Sequence, residues 1–235
     1  MAVYIYSITG KQHPLRLDGL SGVGESPVRA VTAGPLCAVV SDAPEDLRPK
    51  RRDIIAHQEV QKRLMADGTV LPMRFGLIAE NDEAVLLALE QNAADYTDRL
   101  QVLEGCTEYH LKASQDEDAL LRQILRESDV ARELNDEIRS GTADPDASLR
   151  LGELVAQEVM ARQEALAAGV VEALRPFART LETSQPTGSD FINVSFLVTE
   201  DQEETFLTSE LSVAHQMGDD FDFRLNGPLP PYSFV

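Results

Sequence analysis

The sequence predicts an α+β protein of two small domains with ferredoxin-like (split βαβ) sheets, plus a long helix in the second half. Three observations carry this. Short β-branched or alternating runs at 3–8, 36–40, 108–113, 191–198 and 221–226 are interleaved with helical periodicities at 53–66, 81–103, 148–181 and 202–217. The 235 residues suffice for one large domain or two small ones. The order of elements also restarts near Gly105. The expected division is therefore an N-terminal modified ferredoxin-like domain, 1–105, and a C-terminal α+β domain, 106–235, carrying the long helix at about 148–181 and a proline-rich tail at 227–235.

Val3 to Ile8 is β-branched and aromatic, the composition of a strand. Residues 9–27 hold six glycines and prolines and read as a loop. Leu36 to Val40 is a continuous apolar run, suited to a central strand covered on both faces, with 28–32 as its hairpin partner. Ala56, Val60 and Leu64 set a helix over 53–66, stopped by Asp67-Gly68. Thr69 to Phe75 is extended, with Leu71, Met73 and Phe75 on one face and Arg74 on the other. Pro72 cannot donate a ladder bond, which places this strand at an edge or a bulge. Asn81 caps a helix reaching Leu103, whose inner stripe is Val85, Leu89, Ala93, Tyr96, Leu100 and Leu103.

In the second half, Tyr109, Leu111 and Ala113 alternate inward, and Ser114 with Glu117 suggests a capping box for the next helix. The polar, acidic stretch 127–147 reads as a mobile connection or a partly helical one. Pro176 is expected to kink the long helix or end its regular bonding. If straight, a helix over 148–181 would extend on the order of 50 Å. Ile192, Val194, Phe196 and Val198 share a strand face, and Gly218 stops the next helix. Phe221, Phe223 and Leu225 alternate in the last strand, which is expected to turn at Asn226-Gly227. The tail beyond it is apolar and stiff: Pro228, Pro230 and Pro231 fix φ, and Leu229, Tyr232, Phe234 and Val235 offer surface to bury.

Composition excludes several roles. Forty acidic against twenty-one basic residues give a net charge of −19, which repels nucleic acid and anionic membrane. No run of about 18 apolar residues exists, so no membrane span is expected. The start lacks a basic region and a long apolar core of the signal-peptide type. Cys37 and Cys106 have no CxxC partner, and a cytoplasmic, disulfide-free protein is the expectation.

The residues announce no catalytic constellation. Gly19, Gly22 and Gly24 are spaced G-x-x-G-x-G, with Pro27 blocking a following helix, so a flexible loop is favoured over a phosphate cradle. His13, His57, His110 and His215 are scattered without metal-ligand spacing and suit surface or helper hydrogen-bonding roles. Lys50-Arg51-Arg52 reads as a solvated turn, and the acids at 200–204 complement a helix start. Catalytic, cofactor-binding and metal residues are therefore expected to be none. Arg74 is either an edge arginine in water or an anchor at a partner surface. The candidate partner-binding or domain-docking residues are Met73, Arg74 and Phe75, together with Gly227, Pro228, Leu229, Pro230, Pro231, Tyr232 and Phe234.

Several of these segments, in order from end to end, resemble the gas vesicle protein F/L family. They are Tyr4 to Ile8 with Leu36 to Ser41, His57-Gln58-Glu59-Val60 leading to Thr69 to Gly76, Glu108 to Lys112, and Asn226 to Phe234. The last matches the family ending G-P-W-P-P-Y-[ST]-F, except that Leu229 stands where the tryptophan would be. An apolar contact survives there, but stacking is lost. The resemblance implies a non-enzymatic accessory protein in gas vesicle formation. Its implied partners are the hydrophobic shell protein and other gas vesicle accessory proteins, in the cytoplasm on nascent or mature vesicles. A minor structural component of the vesicle wall is the alternative reading, and a small-molecule-binding α+β module a more distant one.

Overall fold

In the computed structural model, which describes residues 1–235, the chain forms two compact units. The first comprises 1–109, 197–200 and 227–235, and the second 110–196 and 201–226. The units are thus not simple halves of the sequence, because two later segments group with the first.

The first unit is built on a five-stranded antiparallel sheet. Its strands are β1 (Val3–Gly10), β2 (Arg29–Ala33), β3 (Leu36–Asp42), β4 (Val70–Pro72) and β5 (Ile78–Ala79). The order is β2-β3-β1-β4, with β5 pairing to the start of β1. β2 and β3 form the expected hairpin, and Pro72 ends the edge strand β4, where its missing N–H costs no bond. Helix α1 (Arg51–Asp67) covers one face of the sheet. There Val60 and Leu64 pack on Tyr4, Tyr6, Val39 and Val70. Helices α2 (Asp82–Gln91) and α3 (Ala93–Val102) cover the other. On that side Val85, Leu89 and Leu103 pack on Val3, Ile8, Leu36, Ala38 and Leu71. Each fully buried aliphatic side chain contributes about 1.5–3 kcal/mol.

The register of β1 shifts between Ile5 and Ser7. This bulge interrupts strict alternation, so that Tyr6 packs in the α1-side cluster and Ser7, next in sequence, also reaches α1, donating to Gln61 Oε1 at 2.5 Å.

The second sheet has the order β7-β8-β6-β9, formed by β6 (Cys106–Gln115), β7 (Thr180–Thr183), β8 (Asp190–Thr199) and β9 (Phe221–Leu229). α7 (Glu203–Met217) joins β8 to β9, and β6 lies between those two strands, which is the split βαβ arrangement. Phe206 of α7 packs on Phe196 of β8 with ring centroids 5.3 Å apart. Helices α4 (Glu117–Glu127), α5 (Asp129–Ser140) and α6 (Ala147–Leu174) form a cluster of their own around Leu120, Ile124 and Ala131. The 28 residues of α6 make a rod of about 42 Å.

The structure corrects several sequence expectations. The helix over 81–103 is two helices, broken at Asn92, whose side chain turns back to donate to the Ala88 carbonyl at 2.8 Å. Its inner stripe is nevertheless intact. Asp116, not Ser114, caps α4, accepting from the Ala119 amide at 2.7 Å, because β6 runs on through Gln115. Of the two readings of 127–147, the partly helical one holds: the stretch contains α5, opened by Ser128 as N-cap and closed by Gly141 in the left-handed region. The long helix ends at Leu174, and Pro176 sits in a short 3-10 turn that leads into β7, a strand that residue patterning does not announce. β9 does not turn at Asn226-Gly227 but continues to Leu229. Met73 and Phe75 do not share a face either. Met73 packs with the α2/α3-side cluster and Phe75 with the α1-side cluster, since β4 stops at Pro72 and alternation stops with it.

Candidate functional site

Two segments singled out by sequence, 73–75 and the tail, both lie in the first unit. The segment 73–75 leaves the edge strand and is clipped to the bulge of β1. The Met73 amide donates to the Tyr6 carbonyl at 2.8 Å, and buried Gln61 donates to the same carbonyl at 2.5 Å. Gln61 is fully buried and uses both ends of its amide, which removes the cost of an unmade bond. Arg74 is exposed. Gly76, at φ +98, makes the next turn, and its amide donates to the Tyr4 hydroxyl at 3.2 Å.

Beneath this segment is a ring cluster. Phe75 meets Tyr4 and His57 edge-on, each at 5.8 Å between centroids, and His57 stacks on Tyr6 at 5.7 Å. His57 is only 3% exposed. Its Nδ1 lies 2.9 Å from the Tyr4 hydroxyl and its Nε2 lies 3.4 Å from the Tyr232 hydroxyl. One nitrogen of the neutral ring donates and the other accepts, so His57 bridges the two hydroxyls whichever nitrogen carries the proton. Burial holds the His57 imidazole below its ordinary value, so the neutral form is the stable one. Burial likewise raises Tyr4 and Tyr6, and pushes Tyr232 up to about 12, with the Glu108 carboxylate adding to the rise. These are neutral groups locked into one another. The arrangement clamps backbone segments rather than moving protons.

The tail completes the clamp. Gly227 lies against the ring of Tyr109 so closely that a Cβ there would sit 2.3 Å from it. Pro228, Leu229 and Pro230 run beside α1, leaving a cleft of about 370 Å³ floored by Gln58, Lys62 and Met65. Pro231 is buried. Glu108, 3% exposed, takes two bonds from Ser233, one from its amide at 2.9 Å and one from its hydroxyl at 2.7 Å. Phe234 then packs into the α2/α3-side core. The tail therefore docks on its own chain, within the unit that begins the sequence.

Sequence reasoning names both ends of this arrangement but misses its middle. It gives His57 only a helper's role, does not single out Gln61, and puts Glu108 on the outward side of its strand. Their partners lie 175, 55 and 125 residues away in sequence, a separation no local pattern reports. The one available signal is three hydrogen-bonding side chains, His57, Gln58 and Gln61, in a helix stretch otherwise marked by apolar spacing. His110 donates or accepts with the Asn193 side chain at 2.6 Å in the second unit. No group of three or more His, Cys, Asp or Glu side chains is placed to hold a metal ion, and no helix is long and apolar enough to cross a membrane.

Known proteins share both this sequence and this fold. The family described as gas vesicle synthesis protein GvpL/GvpF matches residues 2–235. Gas vesicle protein F of Streptomyces sp. (strain CB03234) is 41% identical over 238 residues, covering 100% of both chains. Gas vesicle protein L1 of Halobacterium salinarum is 29% identical over 240 residues, covering 92% of this chain and 83% of that one. The crystal structure of the gas vesicle protein GvpF from Anabaena sp. PCC7120 superposes with a TM-score of 0.88 at 24% identity, covering 99% of this chain and 97% of that chain. The last likeness speaks to the fold alone.

Proposed function

This chain belongs to the gas vesicle synthesis protein GvpL/GvpF family and so takes part in gas vesicle formation, and we propose that it does so as a non-enzymatic assembly factor that binds the hydrophobic shell subunit, other accessory proteins, or both. The match across residues 2–235 carries the reading. Physical chemistry supports the mode of action. A gas-filled wall needs a water-repelling inner face, and subunits carrying such a face associate without control when released bare. A partner with a net charge of −19 stays soluble and self-repelling while it covers that face. Apolar area would supply affinity and charged rims specificity. In this reading the protein works in the cytoplasm, on nascent or mature vesicles, and the candidate residues at 73–75 and 227–234 act by docking within the first unit. Their shared partner His57, which Phe75 meets by its ring and Tyr232 by its hydroxyl, favours that role over a direct client contact.

Capture with the tagged full-length chain from cells making gas vesicles is the test. The expected result is co-purification of the shell subunit or another vesicle protein, and loss of buoyant vesicles when the coding segment is deleted. Capture of neither, with flotation unchanged in the deletion, would overturn the reading.

A further inference from the structure

The second unit has an apolar groove that the first does not match. It runs along the later half of α6 and is closed on its far side by β8 and the 184–190 connection. Met160, Ala168 and Val171 line the helix side, and Pro186, Ile192 and Val194 the sheet side, around about 620 Å³. Met160 is 70% exposed although it is among the larger apolar side chains. Three carboxylates, Glu164, Glu172 and Asp190, stand around this apolar floor; Glu172 engages Arg175 at 3.1 Å and the nearly buried Asp190 engages Arg224, so Glu164 is the rim acid with no cation against it.

We propose that this groove receives a single α-helix of a partner protein, apolar on the face that enters and bearing Lys or Arg along its flanks. The apolar positions on α6 fall at i, i+8 and i+11, a stripe along one helix face, which is the ridge pattern another helix packs against. The span from Met160 to Arg175 is about four helical turns, so an ordinary amphipathic helix fits its length. The uncompensated Glu164 at the rim, inside a chain whose net charge is −19, selects a cationic flank and rejects an acidic one. The proposal rests on the reading that this protein takes up an apolar partner, and it says where.

The test uses the full-length chain and two probes. The first is an 18-residue amphipathic helical peptide with a Leu/Ala face flanked by Lys, compared with the same peptide carrying Glu for Lys. The Lys peptide should bind about tenfold or more tightly than the Glu peptide, with the gap narrowing as salt is raised. Ala168→Trp, which fills the groove from its helix side, should weaken the Lys peptide about tenfold at unchanged circular dichroism. Glu164→Lys, a surface charge reversal that leaves the packing alone, should narrow or invert the preference. Leu87→Ser removes an exposed leucine of the first unit and should change nothing. Equal binding of both peptides, or full binding by Glu164→Lys and Ala168→Trp, overturns the groove. The second probe is the vesicle shell subunit. Capture by wild type but not by Ala168→Trp supports both proposals. Capture by both proteins removes the groove and leaves the assembly reading standing. Lys-peptide binding without capture of any vesicle protein does the reverse.

Discussion

The first unit and the long helix of the second arrange their apolar surface differently. In the first, both faces of the sheet are covered, and Tyr4, Leu64, Leu71 and Leu89 are at most 1% exposed. Even the tail is drawn in, with Phe234 packed and Pro231 buried. On the second unit, Leu149 and Met160 of α6 and Leu211 of α7 are 65%, 70% and 68% exposed. The first unit exposes large apolar side chains as well, Leu87 at 53% and Val102 at 55%, so the difference lies in Met160, which stands at the groove on α6. Scattered exposed leucines need no explanation, but apolar residues lining a groove do.

The contrast is broken most severely by removing a core side chain. Leu64→Ala empties a fully buried position on α1 and should lower unfolding free energy by about 2–5 kcal/mol, read from denaturant midpoints. A smaller loss tests the tail. Ser233→Ala deletes the hydroxyl that donates to the buried Glu108 carboxylate, and losing a hydrogen bond to a charged group should cost about 1.5–3 kcal/mol. An unchanged midpoint would mean that the tail contributes little to the first unit.

Acid should act through His57 with a smaller effect and a definite sign. Its folded value lies below the ordinary 6.5, so on acidification the unfolded chain takes up the proton first. Stability from this group is therefore complete above about pH 6.5 and declines below it until the lowered folded value is reached. His57→Gln should flatten that part of the stability profile between about pH 7.5 and 5.5, and a profile of unchanged slope would remove His57 as its source. The smallest stability effect belongs to the other region. Met160→Ser should stay within about 0.5 kcal/mol of wild type, since little burial is lost. A larger loss would mean that the groove is a core in disguise.

Much of the fold is legible from residue spacing alone. The inward alternation of Tyr109, Leu111 and Ala113, the edge position of Pro72 and the stripe from Val85 to Leu103 all reflect local geometry, and they hold in the structure. α5 is hidden because its acidic composition resembles a linker, although Ser128 and Gly141 mark its two ends. β7 has four residues and no inward alternation to announce it. The candidate site is half visible. Tyr232 and Phe75 stand out as apolar residues in unusual settings, while His57, Gln61 and Glu108 gain their meaning only from partners brought in by the tertiary fold. A buried glutamate reads the same in sequence as a solvated one.

The placement of residues 227–235 in the first unit has a consequence for biosynthesis. A ribosome makes β1 to α3 early, yet the segment that occupies Glu108 and the ring of Tyr109 is translated more than a hundred codons later. Until then Glu108 lacks the two bonds from Ser233 and the Tyr109 ring lacks its contact with Gly227. The closure of the first unit must therefore wait for residues 227–235, which ties maturation of the early part to successful synthesis of the late one.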